Sequence, residues 1–254
     1  MIDTHSHIYL PDFDEDRNEV MKRAVEAGLK AIFMPAIDFT SLAQMEALSY
    51  PGVRFYKMAG LHPCDVEENI DFDFEDILFE LCSRDDIYGV GETGLDYYWS
   101  TDYVAQQKES LRIHCQVAKE TGKPIILHNR ESTVDLLSII EEEQDGSMKG
   151  IWHCFNGTVE EGKQALDLGL HLGIGGVVTY KNGGVDKTVA RLPLDKMILE
   201  TDAPYLPPTP MRGKRNEPAF MKYTAQKLAD IFERSLEEIV TQTNATAIKL
   251  FGIG

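Results

Sequence analysis

The sequence contains no apolar run of the roughly eighteen residues that a membrane-crossing helix needs. It opens directly into an apparent strand rather than a basic and then apolar leader, so the expectation is a soluble, cytoplasmic protein without an export signal. Cysteine is sparse. Cys64, Cys82, Cys115 and Cys154 are widely spaced and form no C-x-x-C, which argues against a zinc ribbon or a disulfide framework. Reduced, mostly buried thiols are expected instead. Positive charge is also short: 25 Lys and Arg face 42 Asp and Glu, a formal balance of −17. Such a surface repels nucleic acid at long range and argues against a tight, sequence-reading DNA binder. It still admits an enzyme that grips one phosphate, because metal ions at a site reverse the local sign. Finally, the glycine fingerprint of a dinucleotide fold is missing after the first strand, where the sequence instead reads His5-Ser6-His7.

What is present is a regular alternation of short apolar runs and segments of helical period. Strands are expected at about 2–5, 29–35, 53–60, 87–92 (continuing to 96), 124–127, 150–152, 171–174 and 197–199. Helices are expected at about 14–27, 41–48, 74–83, 104–121, 134–143, 159–168 and 185–191, with two more at about 219–233 and 236–250. Strands buried on both faces and joined by helical crossovers make a parallel sheet. Eight such units in 254 residues, with 43% hydrophobic residues to fill a core, fit one α/β domain spanning 1–254. The expected fold is therefore a (β/α)₈ TIM barrel with two extra C-terminal helices packed on it; an open doubly wound sheet is the structural alternative.

In such a barrel all strand C-termini open onto one face, where active sites are assembled. His5 and His7 end the first strand, and on an extended chain residues two apart point to the same side. His62 follows the third strand, Glu92 lies on the fourth, His128 ends the fifth, His153 the sixth, and Asp202 follows the eighth. A lone histidine at a strand end is more often a hydrogen-bonded loop residue than a ligand. Five imidazoles and two carboxylates directed at one mouth are another matter, since their desolvation is costly unless they coordinate something. His114, on a helix, and His171, at the opposite face, are assigned to structure. Three protein ligands and a water serve one catalytic zinc. His5, His7, Glu92, His128, His153 and Asp202 supply six, enough for two divalent ions that share Glu92, about 3.5–4 Å apart as in two-metal hydrolases. Mixed imidazole and carboxylate ligands suit Zn²⁺, Mn²⁺, Fe²⁺ or Ni²⁺ better than Mg²⁺, and the sequence leaves the choice, Zn, Mn or Mg included, open.

Six stretches, Asp3-Thr4-His5-Ser6-His7, Gly60-Leu61-His62-Pro63, Gly89-Val90-Gly91-Glu92-Thr93-Gly94-Leu95-Asp96-Tyr97, Leu127-His128-Asn129-Arg130, His153-Cys154-Phe155 and Glu200-Thr201-Asp202-Ala203-Pro204, resemble the TatD family of metal-dependent hydrolases. The resemblance covers nearly the whole chain, in order. It implies a divalent-metal deoxyribonuclease, often 3′→5′ exonucleolytic, with His5, His7, Glu92 and Asp202 on one ion and Glu92, His128 and His153 on the other.

On this reading Glu92 and Asp202 are catalytic, Asp202 being the general base. His62 and Arg130 are phosphate donors, although for Arg130 a salt bridge that orients Glu92 or Asp202 is the competing role. Asp96 is assigned near the substrate or as an acceptor that fixes a ligand histidine. Tyr97, Tyr98 and Trp99 can stack a terminal base or pack down on the scaffold. Arg212, Lys214 and Arg215, the densest basic cluster, can hold flanking phosphates or stay solvated. Gly173-Ile174-Gly175-Gly176 is better explained by close backbone approach than as a phosphate loop. The expected partner is DNA or a small phosphodiester bound transiently, with neither a membrane nor a stable protein partner. The alternative activity is an amidohydrolase-type hydrolysis of a small amide, ester or lactone. Glu92 stands where carbamylated-lysine enzymes would place lysine, which favours the phosphodiester branch. A non-catalytic scaffold finds no support in a repeat or a disordered tail.

Overall fold

The segment Ala31–Pro35 is buried at every position, a pattern that needs cover on both faces of the strand, as a parallel sheet clad in helices provides. The computed structural model, which describes residues 1–66 and 74–254, shows that sheet. Its strands are β1 (Ile2–Asp3), β2 (Ala31–Pro35), β3 (Arg54–Ala59), β4 (Ile87–Asp96), β5 (Ile125–Arg130), β6 (Gly150–Trp152), β7 (Leu170–Ile174) and β8 (Met197–Leu199). They lie side by side in chain order, every neighbouring pair parallel. The last gap is bridged beyond the named strands: Thr4 N–H donates to Leu199 O at 3.0 Å, Asp202 N–H to His5 O at 2.8 Å and His7 N–H to Ala203 O at 2.8 Å. The eight strands therefore form a nearly closed TIM barrel, as the alternation predicts.

The connecting helices are α1 (Arg17–Glu26), α2 (Ser41–Glu46), α3 (Glu75–Ser83), α4 (Val104–Thr121), α5 (Thr133–Glu143), α6 (Val159–Asp167) and α7 (Val185–Val189); α8 (Met221–Phe232) and α9 (Leu236–Phe251) follow β8. Both C-terminal helices pack on the barrel, α8 in the position of its eighth helix. Thr158 and Ser235 begin α6 and α9 with capping boxes closed by Glu161 and Glu238, which satisfy otherwise orphaned N–H groups.

Differences from the expected boundaries have local causes. Helix α1 starts at Arg17 rather than 14, because Pro11–Phe13 forms a separate 3-10 turn and the Arg17 guanidinium caps Ile8, Tyr9 and Leu10 carbonyls. Strand β5 runs on past Leu127 to Arg130 because β4 itself continues to Asp96 and pairs with it, Gly94 opposite His128 and Asp96 opposite Arg130. His5 and His7 lie just beyond β1, on an extension held by the post-β8 segment on one side and by Ser6 N–H to Phe33 O, 3.0 Å, on the other.

Side chains alternate between two cores. Ile32 and Met34 join the layer between sheet and helices, whereas Ala31 and Phe33 join Met58, Ile126, Ile151 and Ile198 inside the barrel. Phe251 of α9 stacks on Phe33 with ring centroids 3.9 Å apart, so the C-terminal helix closes the barrel floor opposite the site.

The close pairing of β4 with β5 depends on one residue. Gly94 has φ +135°, and a Cβ there would lie 2.0 Å from His128 O. Gly94→Ala should therefore lower stability by about 2–3 kcal/mol, a thermal midpoint about 5–10 °C lower; calorimetry checks it.

Candidate metal centre

The strand ends bring the predicted donors together around Glu92, which is 2% exposed. Its Oε2 lies 3.2 Å from His5 Nε2 and 3.4 Å from His7 Nε2. Its Oε1 lies 3.0 Å from His153 Nε2, 3.2 Å from His128 Nδ1 and 3.7 Å from His62 Nε2. Asp202 Oδ1 completes the first group, 3.7 Å from His5 Nε2 and 3.6 Å from His7 Nε2. All six sequence-predicted ligands thus meet, with Glu92 between two sets.

Hydrogen bonds on the far side of three of the rings, His7, His128 and His62, decide which nitrogen faces inward. Tyr9 Oη donates to Pro35 O at 2.8 Å and so accepts from His7 Nδ1 at 3.1 Å, leaving the Nε2 lone pair aimed at Glu92. His128 Nε2 donates to Asp96 Oδ2 at 2.8 Å, which leaves Nδ1 inward. His62 is arranged the other way: its Nδ1 accepts the Cys64 N–H at 3.1 Å, so Nε2 carries the proton and points inward as a donor. Burial holds His62 down at about 3, which keeps it neutral.

The donor set fits divalent cations. Imidazole and carboxylate bonds of about 2.0–2.2 Å around a tetrahedral ion leave neighbouring ligand atoms roughly 3.3 Å apart, and the contacts above span 3.0–3.7 Å. Without an ion, protons carry the compensating charge. Burial opposes a proton on His153, but Glu92 and Glu200 outweigh it and hold the ring well above its usual range; Asp96 and Glu92 likewise raise His128. Burial raises the Glu92 carboxyl, yet His153, His5 and His62 pull it well below the carboxylate range. These are the protons that metal binding would displace. Burial lifts Asp202 to about 6, against the pull of His153 and His7. Asp202 also has φ +59°, and Cys154 beside His153 has φ +50°, conformations that non-glycine residues take up at a cost where the surroundings enforce them.

The remaining site residues divide. Asp96 is 1% exposed and fixes His128, while its Oδ1 accepts the Tyr98 and Trp99 N–H groups at 3.0 and 3.2 Å. That places it in the ligand-fixing role. Tyr97 turns away: its hydroxyl donates to Asp135 at 2.7 Å and its ring joins the outer core, so it packs on the scaffold. Arg130 lies over the Tyr98 ring at 3.6 Å rather than against Glu92 or Asp202. Arg215 is bound to Asp16 at 2.7 Å and Arg212 lies over Tyr180 at 4.1 Å, so the expected basic cluster is divided between two neighbours. His114 is structural, as expected: fully buried, it accepts the Leu61 N–H at 3.0 Å and steadies the turn before His62. Gly173 gives the close approach expected of it, since a Cβ there would meet Glu200 Oε2 at 2.2 Å. The cysteines are free, but only Cys82 and Cys115 are buried. Cys154 is half-buried, and Cys64, whose N–H donates to His62, lies exposed on the turn after β3.

Three contributors escaped the sequence reading. Asp3, fully buried, accepts from Thr201 N–H at 3.0 Å and His5 N–H at 3.3 Å, tying the histidine extension to the segment after β8. Its two-residue spacing from His5 was the available signal. Tyr9 orients His7. Glu200, fully buried, accepts the Cys154 N–H at 2.5 Å and faces His153 Nδ1 at 3.6 Å, while its Oε2 has no partner among the described residues. A carboxylate directly after a buried strand was its signal.

A parallel barrel whose open face gathers imidazoles around a shared carboxylate defines the class of metal-dependent hydrolases built on this fold. The sequence profile described as TatD related DNase matches residues 2–252, and the chain belongs to that family. It is 36% identical over 256 residues to the metal-dependent hydrolase YabD of Bacillus subtilis, covering 100% of this chain and 99% of the relative. It is 33% identical over 257 residues to YcfH of Escherichia coli, covering 100% and 96%. Among solved structures, the TatD homologue YjjV of Escherichia coli superposes with a TM-score of 0.91 at 29% identity, over 100% of this chain and 98% of that one.

The arrangement gives Glu200 a measurable part. Glu200→Gln should lower metal affinity about 10–100-fold, read by calorimetric titration of the metal-stripped protein, with the thermal midpoint of that apoprotein little changed.

Proposed function

We propose that the protein is a two-metal phosphodiesterase that removes nucleotides from DNA ends, with the 3′→5′ polarity that the family resemblance implies. The observation that carries this reading is the division of Glu92: Oε2 faces His5 and His7, and Oε1 faces His128 and His153. A shared carboxylate between two donor sets suits a pair of divalent ions, of which Zn²⁺ and Mn²⁺ fit the ligands best. When bound, such ions acidify water and neutralise charge on phosphoryl oxygens. Asp202, buried beside both His5 and His7, accepts the proton of the attacking water and returns it to the leaving sugar oxygen. The His62 Nε2–H is set to hold a phosphoryl oxygen, and Arg130, with no carboxylate within 4.0 Å among the described residues, is free to hold another. The family's description as TatD related DNase supports DNA as the substrate, and the −17 charge limits contact to few phosphates. No described helix is long and apolar enough to cross a membrane, which accords with a cytoplasmic enzyme.

Two outcomes are expected. Elemental analysis should find two divalent ions per chain, and excess chelator should abolish release of 3′-labelled nucleotide from single-stranded DNA while circular dichroism stays that of a folded barrel. Full activity in chelator would overturn the reading, and turnover of a lactone or dipeptide in place of DNA would favour the amidohydrolase alternative. Glu92→Ala should cost at least about 10³-fold in kcat/KM, the scale of losing a key electrostatic group, and far more than Tyr98→Ala. Equal losses would mean that Glu92 is not central.

A further inference from the structure

Exposed apolar side chains are concentrated on the catalytic face. Tyr98, Trp99, Val134, Tyr205 and Leu206 lie in loops or helix starts that follow strand C-termini, and Trp99 is 69% exposed. A large aromatic in water is ordinary when isolated, but Trp99 is not isolated. Tyr98, 51% exposed, meets it edge to face with ring centroids 5.2 Å apart. The Arg130 guanidinium lies in the corner they make, 3.6 Å from the Tyr98 centroid and 5.4 Å from that of Trp99.

The corner is fixed to the metal centre by hydrogen bonds. Asp96 accepts the N–H groups of Tyr98 and Trp99 with one oxygen and holds His128 with the other, so a single buried carboxylate sets both the ligand and the loop. Arg130 lies two residues beyond His128 on β5 and points to the same side, roughly 7 Å further out of the barrel at about 3.3 Å per residue. The neighbouring Tyr97, drawn off to Asp135, shows what a loop aromatic does when it serves the scaffold.

We propose that Trp99, Tyr98 and Arg130 form a stacking platform for the terminal nucleobase of a single-stranded DNA substrate, on the His128 side of the centre. The inference rests on the phosphodiesterase reading above and adds the part of the substrate it leaves unassigned. A flat, unpaired aromatic face accepts any base, and a guanidinium without an acidic partner can serve the adjoining phosphate as well as the ring. Stacking also resolves a conflict of charge. A surface at −17 cannot draw its affinity from a track of phosphate contacts. Of the arginines at the mouth, Arg130 and Arg212 alone lie over tyrosine rings, and among the described residues neither has a carboxylate within 4.0 Å, whereas Arg215 is taken by Asp16. With Lys214, exposed in the same loop and likewise without a carboxylate within 4.0 Å among the described residues, two or three phosphate contacts set the electrostatic share, and the bases must supply the rest.

The protein carries its own probe. It has two tryptophans, and Trp152 is fully buried, so Trp99 is the one whose emission a ligand in solution can reach. The metal-loaded protein is titrated with a thymidine phosphorothioate tetranucleotide that resists cleavage, and with a base-free chain of equal phosphate number, binding of each being followed independently by anisotropy of an end label. The base-bearing strand should quench Trp99 and bind at least about tenfold more tightly than the base-free one. Its log K against log salt should have a slope of about −1.4 to −2.1, the values for two and three phosphates on a single strand. Trp99→Ala should lower kcat/KM on single-stranded DNA about tenfold, mainly through KM, and lower it less on a labelled base-free phosphodiester chain. Equal affinity for the two strands, or binding without quenching while labelled DNA is still hydrolysed, would overturn the platform and leave the phosphodiesterase reading intact. If no DNA or phosphodiester is hydrolysed, that reading fails, and base-dependent quenching then decides the platform by itself.

Discussion

The structure depends on one buried carboxylate that is never alone. Glu92 is almost wholly removed from water yet touches His5, His7, His62, His128 and His153. An ionised carboxylate in such a place is tolerable only if positive charge or strong donors surround it. That requirement reaches down four strands besides its own, since His5 and His7 share the extension of β1 while His62, His128 and His153 each arrive on a separate piece of backbone. Tyr9, Asp96 and Cys64 N–H do the aiming for His7, His128 and His62. Glu200 stands behind His153, in space left by the missing side chain of Gly173.

Much of this was legible in the sequence because the signals were periodic or positional. Strands β6 and β8 and helix α4 fall where the apolar pattern puts them, and a parallel barrel then forces the strand-end histidines to one face regardless of their separation in the chain. The gathering of the six candidate donors follows from that topology. What was not legible depends on direction and depth rather than order. Whether Tyr97 faces the mouth or Asp135 turns on a few backbone angles. The fate of Arg215 turns on Asp16, nearly two hundred positions away. That Cys64 is exposed depends on the shape of the turn after β3, which no apolar pattern records. Asp3 and Glu200 were in plain view within the motifs, but an acidic residue beside ligands reads as one more ligand until its burial and its own donors are known.

The outer residues show how a small number of atoms serve two purposes. Asp96 holds a ligand ring with one oxygen and two loop amides with the other, so the position of Tyr98 and Trp99 cannot drift independently of His128. His114 plays a comparable part from the helical layer: it bonds the Leu61 N–H and supports the turn that carries His62. Preorganisation of this kind places donors before the substrate arrives, which is where the larger part of electrostatic catalysis resides.

Phe251 against Phe33 carries a consequence for how the molecule comes into being. His5 and His7 share a cluster with Asp202, nearly two hundred positions on, and the barrel beneath them is stoppered by α9. On the ribosome His5 and His7 must wait through roughly 250 further additions before Phe251 is made, some 10–50 s at about 5–20 residues per second. Throughout that interval the nascent polypeptide displays imidazoles and acids with no finished cage around them. The donor set is therefore closed in only once α9 has been made, and Phe251 acts as its latch.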